Sequence, residues 1–188
     1  MMYIIVIGVS MLFIALAVSC AFHVGFFSVF FYTALSTAIV IGIDAIVATA
    51  ARLLPKTAVS DERKIFTTSA KEKAFYERLK IRKWKDKIPE LGHFTGFRKN
   101  TVAEPKSEKY LNRYLLEARY GEIGHFFSCP IGFATLGFAR LAPFWWAVAL
   151  PVSLVNAVLN VLPLFVLRYN TYKLEILREH IRKRSGNR

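Results

Sequence analysis

Before its first basic residue at Arg52, the chain carries a single charged side chain, Asp44. Residues 1–22 are uncharged and almost wholly apolar, and after His23 and Gly25 a second run extends from Phe26 to Ala51. Each run exceeds the ~20 residues needed to cross the hydrocarbon of a bilayer. With 54% hydrophobic residues and a net charge of +13 over 188 residues, the composition fits neither a soluble globule nor a disordered tail. The expected fold class is all-α, a polytopic membrane helical bundle.

A third apolar run begins near Ile123 and reaches Ala139, and a fourth runs from Leu141 to Leu167 beyond the isolated Arg140. About four transmembrane helices are therefore expected. The third, at ~17 residues, also fits a re-entrant or interfacial element. Residues 1–22 have the apolar core of a signal peptide, and Ala17-Val18-Ser19-Cys20 hints at a cleavage box. No basic stretch precedes them and another span follows at once, so a retained helix is expected. Cys20 and Cys129 sit in separate apolar runs without metal-ligand spacing, and packing is their default role.

Of the 26 Lys and Arg, 18 lie between Arg52 and Arg119, seven from Arg168 onward, and Arg140 stands alone. The positive-inside rule then puts both basic segments and both termini in the cytoplasm of a multi-pass cell-membrane protein. Four segments follow: an N-terminal hairpin over 1–51, a basic interfacial segment over 52–121, a C-terminal hairpin over 122–167 and a basic tail over 168–188.

Within the basic segment, Phe75, Tyr76, Leu79, Ile81, Trp84 and Ile88 recur at near-helical spacing among Lys71, Lys73, Lys80, Arg82, Lys83, Lys85 and Lys87. The pattern predicts one basic amphipathic helix on the inner leaflet, stopped by Pro89. It is either a solvated helix obeying the topology rule or a surface for lipid headgroups or a phosphate-bearing substrate. No nucleic-acid motif is present, and nucleic acid is not an expected partner.

Pro105 and Ser107 mark a helix start, with Leu111, Tyr114, Leu115 and Ala118 as its apolar stripe. That helix leads into Glu117-Ala-Arg-Tyr-Gly-Glu-Ile-Gly-His125, which carries two carboxylates and an imidazole to the mouth of the third run. Charge at a bilayer boundary is costly unless it has a partner or a task. Taking Glu117 as the origin, Gly121, His125 and Glu122 fall at about 40°, 80° and 140° around the helix. Glu122 and His125 can touch at i,i+3, whereas Glu117 suits Arg113 or a basic group from another element.

The alternative for Glu122 and His125 is a capping or interfacial pair. His23, His93 and His180 are not spaced to complete a metal site, so no metal is expected. In the fourth run, Ser153, Asn156 and Asn160 form a polar stripe whose default role is hydrogen bonding to neighbouring helices, with lining for a polar substrate group as the alternative. Asp44 is open to three readings: neutral, paired with the asparagines, or facing a cavity. Beyond it, Arg168-Tyr169-Asn170 opens a basic tail that a snorkelling anchor would explain. No GxGxxG, Walker, CxxC or HExxH pattern occurs, nor a His-x4-Asp box.

Three blocks in order give the chain a family likeness: Phe75 to Lys87 around Ile81-Arg82-Lys83-Trp84-Lys85; Glu117 to His125; and Asn160 to Asn170. On these blocks it resembles the glycosyl-4,4'-diaponeurosporenoate acyltransferases, small membrane proteins of staphyloxanthin-type carotenoid biosynthesis. Thr171 stands where an arginine often follows Arg-Tyr-Asn in that family. The resemblance implies an O-acyltransferase that esterifies a sugar hydroxyl of a membrane glycolipid, a glycosylated carotenoid in the family.

Residues and resemblance meet on one set of candidates. His125 suits the general base, Glu122 its orienting acid, and Glu117 a supporting carboxylate. Asn160, Arg168 and Tyr169, with Asn170, are candidate substrate and oxyanion contacts. A thioester donor, acyl-CoA or acyl-carrier protein, suits the cluster of Arg82, Lys83, Trp84 and Lys85. No other cofactor is implied, and the expected partners are membrane lipids, a glycolipid acceptor and an anionic acyl donor. The rival class is a non-enzymatic lipid-binding or scaffold protein using the same basic surfaces.

Overall fold

A computed structural model describes residues 2–60, 64–88 and 102–186, which contain helices and no strand. The α-helices are α1 (Met2–Phe22), α2 (Phe26–Leu53), α3 (Ala70–Arg78), α4 (Ile81–Trp84), α5 (Glu108–Ile131) and α6 (Trp145–Gly186). They form two compact units. The first comprises Met1–Ala50 with Gly124–Val161, and the second comprises Ala51–Ile123 with Leu162–Arg188.

In the first unit α1 and α2 make a hairpin. His23 turns the chain with a left-handed φ of 53°, and the Ser19 hydroxyl donates to Val24 O at 2.6 Å. Val18, Val29, Trp145, Val148 and Ala149 pack in the interior, while Ile4, Phe13, Phe27 and Ile46 are exposed, Phe27 at 86%. An apolar outer surface of this extent is costly in water and suits hydrocarbon. Among the described residues three helices, α1, α2 and α6, are long and apolar enough to cross a membrane. The all-α membrane fold read from the sequence is thus observed.

The third apolar run, over 123–139, has a different form from the fourth. Its residues end α5 and continue as a 3-10 helix, Gly132–Leu141. Pro130 removes one helical donor at this point. Side chains also take up backbone groups there. The Ser153 and Thr135 hydroxyls donate to Gly132 O at 3.1 and 3.0 Å, and Trp145 Nε1 donates to Thr135 O at 2.8 Å. Backbone groups freed from the α-helical pattern in an apolar unit require partners of this kind.

In the second unit, the single amphipathic helix expected from Phe75 to Ile88 is two pieces. Helix α3 begins at Ser69, whose hydroxyl accepts from Glu72 N at 3.1 Å. Lys80, with φ 52°, breaks the run before α4, and a 3-10 turn follows at Lys85–Lys87. The break lets Tyr76 and Ile81 pack together with Val166 and Tyr169, and Trp84 Nε1 donates to Leu79 O at 2.9 Å. Pro89, the expected stop, and His93 lie outside the described residues. Helix α5 starts as expected, with Ser107 Oγ accepting from Tyr110 N at 3.2 Å. Its stripe of Leu111, Tyr114 and Leu115 is buried with Leu174.

Candidate functional site

His125 lies on α5, in the first unit. Its Nδ1 is 2.9 Å from Asn160 Oδ1. Asn160 Nδ2 in turn donates to Asp44 Oδ2 at 3.1 Å, and to the backbone O and Oδ1 of Asn156, both at 3.1 Å. Asn156 Nδ2 donates to Asp44 Oδ1 and to Ser128 O, each at 3.4 Å. Of the three readings left open for Asp44, pairing with the asparagines is the one observed. The polar stripe of α6 makes the interhelical hydrogen bonds expected of it, with Ser153 on Gly132 and the two asparagines on Asp44.

This network depends on a missing side chain. A Cβ added to Gly132 would stand 2.6 Å from Asn156 Nδ2. A narrow cleft in the same unit is lined by Ile7, Met11, Ile14, Val40, Leu159 and Asn156, so Asn156 has an apolar neighbour region.

Glu122 and Arg168 lie in the second unit. Arg168 Nε and Nη2 donate to the two carboxylate oxygens of Glu72, both at 2.8 Å, in a bidentate clamp. Its Nη1 donates to Glu122 Oε2 at 3.2 Å and to Ile65 O at 2.7 Å. The Thr171 hydroxyl completes Glu122 with a bond to Oε1 at 3.0 Å. Glu122 is 4% exposed and Arg168 15%, and the two carboxylates share this one guanidinium.

Burial pushes the Glu72 carboxyl up, but the Arg168 guanidinium and the Tyr76 hydroxyl outweigh it and hold Glu72 below the ordinary carboxylate value. Burial, with the Glu72 carboxylate beside it, pushes the Tyr76 phenol up. Sequence reasoning missed Glu72 and Thr171. The Ser69-x-x-Glu72 spacing signals a helix start, yet nothing in it tells that the carboxylate turns to α6.

The other candidates are distributed over the second unit. Glu117 faces Arg52 at 3.9 Å, a basic group from another element. Tyr169 is buried, accepts from Arg82 Nε at 2.6 Å, and carries the Lys173 ammonium 4.5 Å above its ring. Asn170 is half-buried on α6. Lys83 is exposed, Trp84 is half-buried, and Lys85 pairs with Asp86 at 2.7 Å. Among the described residues no three His, Cys, Asp or Glu converge as a metal site.

A family model described as glycosyl-4,4'-diaponeurosporenoate acyltransferase matches residues 62–180. No curated protein and no solved structure matches the chain. The family match covers well over half of the 188 residues, and the chain belongs to that acyltransferase family.

Proposed function

We propose, on the premise of that membership, that the protein moves a fatty acyl group from a thioester to a sugar hydroxyl of a membrane glycolipid, with His125 as general base. The observation that carries this reading is the hydrogen bond between His125 Nδ1 and Asn160 Oδ1. Asn160 Nδ2 faces only acceptors, including a backbone carbonyl that cannot donate, so the amide oxygen is the atom presented to the ring. An oxygen acceptor requires a proton on Nδ1. Neutral His125 then carries its lone pair on Nε2, the tautomer a base needs.

In the reaction, the sugar hydroxyl oxygen attacks the thioester carbonyl carbon. The new C–O bond forms, the C–S bond breaks, and the hydroxyl proton passes to His125 Nε2 and then to the departing thiolate. A positioned base contributes ~10²–10⁴-fold to such a step. Asn160 takes the orienting role that the sequence spacing suggested for Glu122, whose own oxygens are held by Arg168 and Thr171.

The donor is acyl-CoA or acyl-carrier protein, met on the cytoplasmic side by Arg82, Lys83 and Lys85, which flank Trp84. The charge distribution supports a multi-pass topology with both termini in the cytoplasm. Arg168, engaged at Nε and both terminal nitrogens, serves to fix α6.

Purified protein incubated with palmitoyl-CoA and glycosyl-4,4'-diaponeurosporenoate should yield the acylated glycolipid by mass spectrometry. His125→Ala should abolish the product while leaving the helical circular dichroism intact. Product formation by folded His125→Ala would refute the base assignment.

A further inference from the structure

We infer that Asp44 is a positioning residue for His125, acting through Asn160 as the remote carboxylate of a His–Asn–Asp chain. The inference rests on the reading of His125 as the base. It begins from the cost of the residue: Asp44 is the single acidic side chain in the sequence of the first unit, on a helix otherwise apolar enough to span a bilayer. A carboxylate there is kept for a partner or a task.

Its contacts are of one kind. Asp44 receives Asn160 Nδ2 on one oxygen and Asn156 Nδ2 on the other. Both asparagines are more than nine-tenths buried. A neutral amide at position 44 has one oxygen, and can accept from one of the two asparagines only by turning its own NH2 toward the other. The carboxylate is thus the group that holds both amides at once.

The direction of the chain matters as much as its satisfaction. The links from ring to carboxylate run one way: His125 Nδ1–H to Asn160 Oδ1, then Asn160 Nδ2 to Asp44, with Asn156 Nδ2 as a second donor to the carboxylate. When His125 accepts a proton, the imidazolium's positive charge faces an amide already polarised by a carboxylate. Hydrogen bonds aligned this way reinforce one another, and the fixed charge needs no reorganisation as the proton moves. Asn160 touches the ring, and Asp44 sets how strongly it does so.

The test uses the full-length protein with palmitoyl-CoA and glycosyl-4,4'-diaponeurosporenoate. Asp44→Asn should lower kcat on the order of tenfold to a hundredfold, less than loss of an acid in direct contact with its histidine, because one amide intervenes. KM for both substrates should hold within about twofold, since Asp44 meets neither. Asn160→Leu should lower kcat further, and adding Asp44→Asn to it should change little more, because the chain is already cut.

A spectroscopic readout separates positioning from mere support. In 15N-histidine-labelled wild type, neutral His125 should be protonated on Nδ1, with that proton far downfield, and Asp44→Asn should move it upfield. Additive kcat losses in the double variant, an unshifted Nδ1 proton, or a wild-type His125 protonated on Nε2 would each overturn the inference. The wild-type spectrum decides even if a variant does not fold. Inactive His125→Ala beside fully active Asp44→Asn would sink the Asp44 role alone, whereas active His125→Ala would sink the base reading.

Discussion

Replacing Arg168 by leucine removes the cation that two carboxylates share. Its guanidinium makes two 2.8 Å bonds to Glu72 and one of 3.2 Å to Glu122. Arg168 and Glu122 are only 15% and 4% exposed, so solvent screens the pair little. Glu122 would keep Thr171 as a donor but lose its counter-charge, the circumstance in which breaking a buried pair costs about 3–5 kcal/mol. Neutralising the stranded acid should restore much of this, so Arg168→Leu with Glu122→Gln should be more stable than Arg168→Leu alone by ~2 kcal/mol. Reversible urea unfolding in mixed micelles, followed by far-ultraviolet circular dichroism, measures all four members of the cycle. A loss below about 1 kcal/mol for Arg168→Leu, or strictly additive effects, would refute the idea that the clamp holds the second unit together.

The same cluster carries a pH signature. Because Glu72 is held below the ordinary carboxylate value of 4.5, its contribution is complete above that value and is lost as pH falls through its lower folded value. Thermal midpoints should therefore drop below about pH 4.5 more steeply in wild type than in Glu72→Gln, and parallel curves would count against the clamp. In the first unit, Gly132→Ala puts a methyl 2.6 Å from Asn156 Nδ2 and should cost about 1–3 kcal/mol. Gly137→Ala, with nothing within 4 Å of the added carbon, is the matched control and should be tolerated in the same thermal melts.

The helices were legible because their signals are local. Uninterrupted apolar length announced α1, α2 and the first half of α6, and the Ser107 cap with its Leu111, Tyr114 and Leu115 stripe announced the start of α5. The break at Lys80 was not legible, because no residue there demands a left-handed conformation and the burial of Ile81 with Tyr169 is a long-range event. The third apolar run was legible as a span or a re-entrant element, but its 3-10 form was not, because hydropathy counts residues whereas that form depends on which carbonyls Ser153 and Thr135 reach. At the site, helical spacing brought out His125 and Glu122, and the stripe Ser153, Asn156 and Asn160 was visible as polar. Which partner each would take was not, since Asp44 is 116 residues from Asn160 and Glu72 is 96 from Arg168.

On the proposal that His125 is the base, the hydrogen-bond pattern favours Asp44 over Glu122 as the acid that serves it. Glu122 shares the Arg168 guanidinium with Glu72 and takes a further bond from Thr171, so both its oxygens are engaged within the second unit. Asp44 is bound to neutral amides, one of which is also the amide that meets the imidazole ring. A carboxylate aligned with an amide strengthens that amide's hydrogen bond toward positive charge developing on the ring. In the proposed reaction Asn160, on α6, would stand between the ring and the carboxylate, with two hydrogen bonds leading from His125 to Asp44.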